Sequence, residues 1–224
     1  MQPAINKRKL SEASVSSLLL LSTPPLDYSP GRNPTSSAIA EIREIERSLH
    51  VSSANLNGIS VLLERLAARR PEIVHHTLHR VFSPLLAAGE LQRPRTADGA
   101  AATGSYEEKK AIVTLWLRER YLAYLDSLCE LLASDEPGLR IPALDILMDV
   151  VRIESARLTD LAKKHCFAGI LYGKIVAALI SAESFSEPLK KELMEKYLDV
   201  YDDLRFYFFK ILRMYHFSLL NFEL

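Results

Sequence analysis

The chain has 224 residues, 48% of them hydrophobic and 25% charged, enough to bury a substantial core in one ordinary domain or a short array of repeats. Its 28 Lys and Arg balance 28 Asp and Glu, so no whole-chain field draws it onto nucleic acid or an anionic membrane. Residues 1–100 carry 12 basic and 9 acidic side chains and residues 101–224 carry 16 and 19, and neither half reads as an electrostatic clamp for RNA.

Lys7, Arg8 and Lys9 followed by Val15 to Leu21 imitate the charged and apolar regions of a signal peptide, but Ser11, Glu12, Ser14, Ser16 and Ser17 interrupt the pattern. Nothing else approaches the run of roughly 20 apolar residues that spans a bilayer, so no membrane role is expected. Residues 1–36 are rich in Ser and Pro and lose any apolar period after Leu21, which predicts a disordered tail. Within it Lys7, Arg8 and Lys9 form a candidate nuclear-import signal.

Residues 37–88 read as the N-terminal helices. Ile39, Ile42, Ile45 and Leu49 recur at helical spacing, with Ser37 as cap and Glu41 in the first turn. A second helix is predicted near Ser53, with Leu56, Ile59, Leu63 and Leu66 on one face. Pro71 suits the first turn of a third, whose stripe is Val74, Leu78, Val81 and Leu85, with a kink at Pro84. Residues 89–104 mix Gly, Pro, Asp and small residues without period and mark a flexible loop.

Residues 105–224 read as a helical solenoid. Ser105 and Glu108 form a capping box opening a long helix to about Ala133, in which Leu115, Leu122 and Cys129 alternate with Ala111, Leu125 and Leu132. After a turn at Ser134 to Gly138, with Pro142 in the first turn, Leu144, Leu147, Val151 and Leu158 mark another helix. Phe167 to Ala182 adds one with Ile170, Leu171, Ile175 and Leu179. The aromatic segment 186–220 supports two short helices, or one broken near Tyr201, Asp202 and Asp203. No alternating strand pattern or glycine-rich phosphate loop is present, so the predicted fold is all-α, an irregular α-solenoid of HEAT or armadillo type with about seven or eight helices.

Candidate sites are few. His75 and His79 lie one turn apart, with His76 beside them, but a third ligand of suitable spacing is lacking, and a solvated helix face explains them. Glu107 with Glu108, and Asp202 with Asp203, fit helix starts better than acid and base pairs. Cys129 and Cys166 fall in helical stretches and read as buried free thiols. Phe206 to Phe209 offer stacking platforms, yet four consecutive aromatics on a helix point all round it, which favours core or protein interface over RNA. No catalytic residue, metal, cofactor or small-molecule ligand is expected. Metal-dependent catalysis on the histidines is the least supported reading.

Four segments in order carry a resemblance: Val81 to Leu91 (VFSPLLAAGEL), Thr114 to Leu132 (TLWLRERYLAYLDSLCELL, with Trp116, Arg118 or Arg120, and Tyr121), Ala143 to Glu154 (ALDILMDVVRIE) and Lys196 to Tyr207 (KYLDVYDDLRFY). Together they resemble the amino-terminal part of the nucleolar complex protein 4 family, ribosome-biogenesis factors of CCAAT-binding-factor-like type, over roughly residues 39–212. The resemblance implies a nucleolar scaffold that pairs with nucleolar protein 14 in the small-subunit processome and serves 40S maturation and pre-rRNA processing, with RNA contact at most indirect. A general helical adaptor in transport or trafficking is the alternative. Family members extend further into a second helical region, and the likeness fades after Leu212, so the solenoid is expected to be truncated, with residues 213–224 an altered end. Tyr201, Phe206, Phe209 and Phe217 are then expected to form an exposed partner surface.

Overall fold

Proline suits the opening of a helix because its missing N–H has no intrahelical partner to lose there. In the computed structural model of this chain, which describes residues 34–66, 71–92, 106–181 and 185–220, three helices begin on one. The described helices are α1 (Pro34–Val51), α2 (Gly58–Leu66), α3 (Pro71–Ala88), α4 (Tyr106–Ala133), α5 (Pro137–Ala162), α6 (Gly169–Ser181), α7 (Glu187–Glu192) and α8 (Asp202–Leu220). A 3-10 turn, Ser53–Asn55, precedes α2, and a π segment, Leu193–Leu198, continues α7. The chain divides into two units, Met1–Ser37 and Ala38–Leu224. Of the first only residues 34–37 are described, as the start of α1, and the rest concerns the second.

The architecture is all-helical among the described residues, as the sequence pattern predicts. Several boundaries differ. Because α1 opens at Pro34, Ser37 lies within the helix and does not cap it, and the first turn holds no acid. Glu41 instead meets Arg65 of α2 at 2.8 Å. The helix expected from Ser53 starts at Gly58, where a Cβ would fall 2.9 Å from Ile45, so glycine permits the close approach of α1 and α2. Pro142 sits inside α5, since Pro137 takes the opening position.

Helices pack on their next one or two successors: α2 on α3 and α4, α3 on α4 and α5, α4 on α5 and α6, α5 on α6 and α7, α6 on α8. Such near-neighbour stacking is the structural definition of a helical solenoid. One continuous core runs along it from Ile42 to Leu204. In α4 the buried side is Leu117, Tyr121, Tyr124, Leu125, Leu128 and Leu132, while Leu115 and Leu122 of the expected stripe are exposed. The helix meets α2, α3, α5 and α6, so it is apolar over a wide arc and simple spacing does not choose its face.

Four tyrosines tie the stack together through their hydroxyls. Tyr124 Oη donates to the His75 carbonyl of α3 at 2.9 Å, and Tyr121 Oη donates to Glu154 of α5 at 2.7 Å. Tyr172 of α6 reaches the Leu204 carbonyl of α8 at 3.1 Å. Tyr197 of the π segment donates to Asp145 of α5 at 2.6 Å. Tyr121, Tyr124 and Tyr172 bury their rings and Tyr197 is half-buried, and each still satisfies its polar end.

Candidate protein-binding surfaces

The histidine cluster does not form a solvated face. His75 is only 3% exposed and lies against Tyr124 with ring centroids 5.9 Å apart; His76 is exposed. Burial pushes the His75 imidazole down to about 4 and holds it neutral. His79 points Nε2 at Asp149 Oδ2 of α5, 3.1 Å away, and its Nδ1 is 3.2 Å from Ser83 Oγ. A serine, histidine and carboxylate in contact suggest a nucleophile, but Ser83 lies inside α3, whose backbone N–H groups are engaged in the helix and leave no oxyanion donors. The trio is a polar strut between α3 and α5. Among the described residues no group of three His, Cys, Asp or Glu is placed to hold a metal ion, and no helix is long and apolar enough to cross a membrane.

The acidic pairs sit at helix starts. Asp202 and Asp203 occupy the first turn of α8, where Asp203 Oδ1 accepts the Leu204 N–H at 2.8 Å and Asp202 pairs with Arg205. Ser105 and the Glu107 side chain lie outside the described residues. The thiols Cys129 and Cys166 are free and half-buried, and burial raises Cys129 to about 11, far from a reactive thiolate.

The four aromatics of α8 divide between core and solvent. Tyr207 stacks on Phe167 at 4.2 Å with the rings 6° apart, and Phe208 is half-buried. Phe206 and Phe209 are 62% and 57% exposed, and Tyr201, just before the helix, is exposed too. Arg205, Lys210 and Arg213 flank this face. The Phe217 side chain and Lys7, Arg8 and Lys9 lie outside the described residues. Sequence spacing missed Met214, exposed on the same helix, and Ile170, assigned to the buried stripe of α6 but 89% exposed.

A cleft of about 320 Å³ opens between the end of α3 and helices α4, α5 and α6. Gly89 lines it. Its φ is +80°, and a Cβ there would fall 2.7 Å from Arg157 Nε and 2.8 Å from Cζ, so only glycine lets the guanidinium lie against the turn. Beside it Arg118 Nη1 donates to the Leu91 carbonyl at 3.1 Å. Burial raises the Glu154 carboxyl, opposed by the Tyr121 hydroxyl and Arg118. Gly89→Ala is expected to cost about 1–3 kcal/mol through the left-handed backbone and the displaced Arg157, measurable by urea unfolding; an unchanged midpoint would show that the turn tolerates a side chain.

A stack of near-neighbour helices with apolar side chains and a cleft turned outward defines a helical-repeat protein. The chain belongs to the family described as nucleolar complex protein 4-like, TPR repeats, which it matches over residues 33–217. It is 32% identical over 167 residues to the chicken nucleolar complex protein 4 homolog, covering 70% of this chain and 32% of that one. The human homolog is 29% identical over 174 residues, 74% of this chain and 33% of that one. A fission yeast protein described as uncharacterized is 27% identical over 175 residues, 75% and 34%. The chain thus spans about a third of the length of these relatives. No solved structure matches it.

Proposed function

We propose that this chain is a non-enzymatic scaffold of ribosome biogenesis in the nucleolus, holding protein partners within the small-subunit processome for 40S maturation and pre-rRNA processing. The observation that carries this reading is the family match across residues 33–217. Nucleolar protein 14 is the leading partner, and RNA is touched only indirectly. The exposed face of α8, with Phe206 and Phe209, and the exposed Tyr201 just before the helix supply the kind of aromatic anchor that dominates protein interfaces. The mechanism is burial of that apolar area against a partner, with no turnover.

Affinity purification of the tagged chain from cells, quantified by mass spectrometry, tests this. Small-subunit precursor components are expected to dominate; vesicle or transport components in their place would overturn it. In the Phe206→Ser/Phe209→Ser variant partner recovery is expected to fall about tenfold or more, since each exposed aromatic anchor carries about 2 kcal/mol, while the melting temperature stays unchanged. Replacing Lys7, Arg8 and Lys9 with alanine is expected to shift a fluorescent fusion from nucleus to cytoplasm, and unaltered nuclear accumulation would reject them as the import signal.

A further inference from the structure

We infer that the cleft between α4, α5 and α6 is a docking site for a partner peptide that places a bulky apolar side chain next to a carboxylate. The first observation is a mismatch between pattern and packing. Leu122, Leu158 and Ile170 each fall at helical spacing that assigns them to a buried face, yet all three are exposed and all three line this one cleft. Apolar side chains gathered around one concavity, outside the core that their spacing predicts, are what an interaction site requires.

The charges name the rest of the partner. Three cations and one anion line the cleft: Arg118, Arg157, Lys174 and Glu154. Lys174 is engaged by Asp126 at 2.9 Å. Arg118 is held on the Leu91 carbonyl and faces Glu154, which already accepts the Tyr121 hydroxyl. Among the described residues Arg157 meets no carboxylate at ion-pairing distance, and its buried Nε has no acceptor. That Nε faces the Gly89 turn and is closed to a partner, so an incoming carboxylate pairs with the rest of the guanidinium, which lines the cleft, in a charge-assisted bond that no carboxylate of the described residues supplies. A volume of about 320 Å³ is near the lower end for ligand pockets, suited to one large side chain with its acidic neighbour.

A protein partner fits better than RNA. Single-stranded nucleic acid needs open aromatic faces, and the one phenylalanine in the lining, Phe167, is stacked on Tyr207 and meets Tyr172 edge-on at 5.3 Å. The other ring in the lining, Tyr121, is only 2% exposed and meets Phe82 edge-on, and the rest of the apolar lining is aliphatic. The inference deepens the scaffold reading by giving a partner chemistry. Its test is separable, because peptide binding in solution can fail while co-purification with small-subunit precursors succeeds, and the reverse.

The experiment is a display selection of random peptides of about 12 residues on the whole chain, followed by fluorescence anisotropy with the most enriched peptide. Enriched sequences are expected to pair Leu, Ile or Phe with an adjoining Asp or Glu. Ile170→Asp is expected to weaken binding about tenfold or more, with melting unchanged because the side chain is on the surface. Arg157→Glu is expected to weaken it similarly and to favour the peptide with its acids changed to Lys, while Arg157→Lys retains most of the affinity. The inference is overturned if no peptide is enriched, if enriched peptides lack acids, or if both Ile170→Asp and Arg157→Glu leave binding intact. It is equally overturned if a single-stranded RNA of similar length outcompetes the peptide and binds regardless of Ile170→Asp.

Discussion

Phe82→Ala is expected to destabilise the chain by about 3–5 kcal/mol, the range for emptying a buried aromatic site. Phe82 is among the largest fully buried side chains. It stacks on Tyr124, with centroids 5.5 Å apart and planes 24° apart, and meets Tyr121 edge-on, also at 5.5 Å. These rings join α3 to α4, and the Tyr121 hydroxyl continues to Glu154 of α5, so the cavity would open where three helices converge. At about 2–4 °C per kcal/mol for a chain of this size, melting should fall by roughly 10 °C, read by circular dichroism. Tyr124→Phe removes only one hydrogen bond and should cost about 1 kcal/mol. A Phe82→Ala protein that melts within about 2 °C of the parent would show that this junction does not hold the stack.

Acidification gives the second large effect. Unfolded, the His75 imidazole takes its proton near the ordinary value of 6.5; folded, burial delays it to about 4. Between those values the unfolded state holds more protons, so stability is full above about pH 6.5 and falls as pH drops towards 4, by about 1.4 kcal/mol per unit and about 3 kcal/mol in all. His79 is also lowered by burial, against the pull of Asp149, and adds in the same direction. Glu154, raised by burial, acts the other way: it takes up its proton earlier in the folded state and softens the loss at the acid end. Urea unfolding at several pH values should therefore be steep for the parent between pH 6.5 and 4 and flatter for His75→Leu. Equal slopes would mean that His75 is not held neutral by the fold.

The order of helices was legible because their apolar periods are strong and proline and glycine punctuate them. Helix faces were less so. His75 sits at the same helical register as the apolar residues of α3, and whether such a position is wet or dry depends on Tyr124, which arrives from a distant segment. Leu115 and Leu122 looked buried because they are leucines at the right spacing, but four neighbouring helices set which arc of α4 is covered. The cleft was illegible as a site, since Gly89 and Arg157 meet only once α3 and α5 are packed. One signal for it was present: the GEL in Val81 to Leu91 supplies both the glycine whose positive φ admits Arg157 and the leucine whose carbonyl holds Arg118. The aromatic face of α8 was more readable, because four consecutive aromatics on one helix cannot all be buried.

Cross-linking mass spectrometry on particles purified through this chain tests the proposed role as a protein-binding scaffold of ribosome assembly most directly. Lys210 flanks the α8 face and Lys174 lines the cleft, so both are expected to cross-link to small-subunit assembly proteins, and the peptides joined to Lys174 should carry acidic residues beside apolar ones. Particles free of small-subunit precursors, or cross-links from these two lysines that run only within the chain, would contradict it.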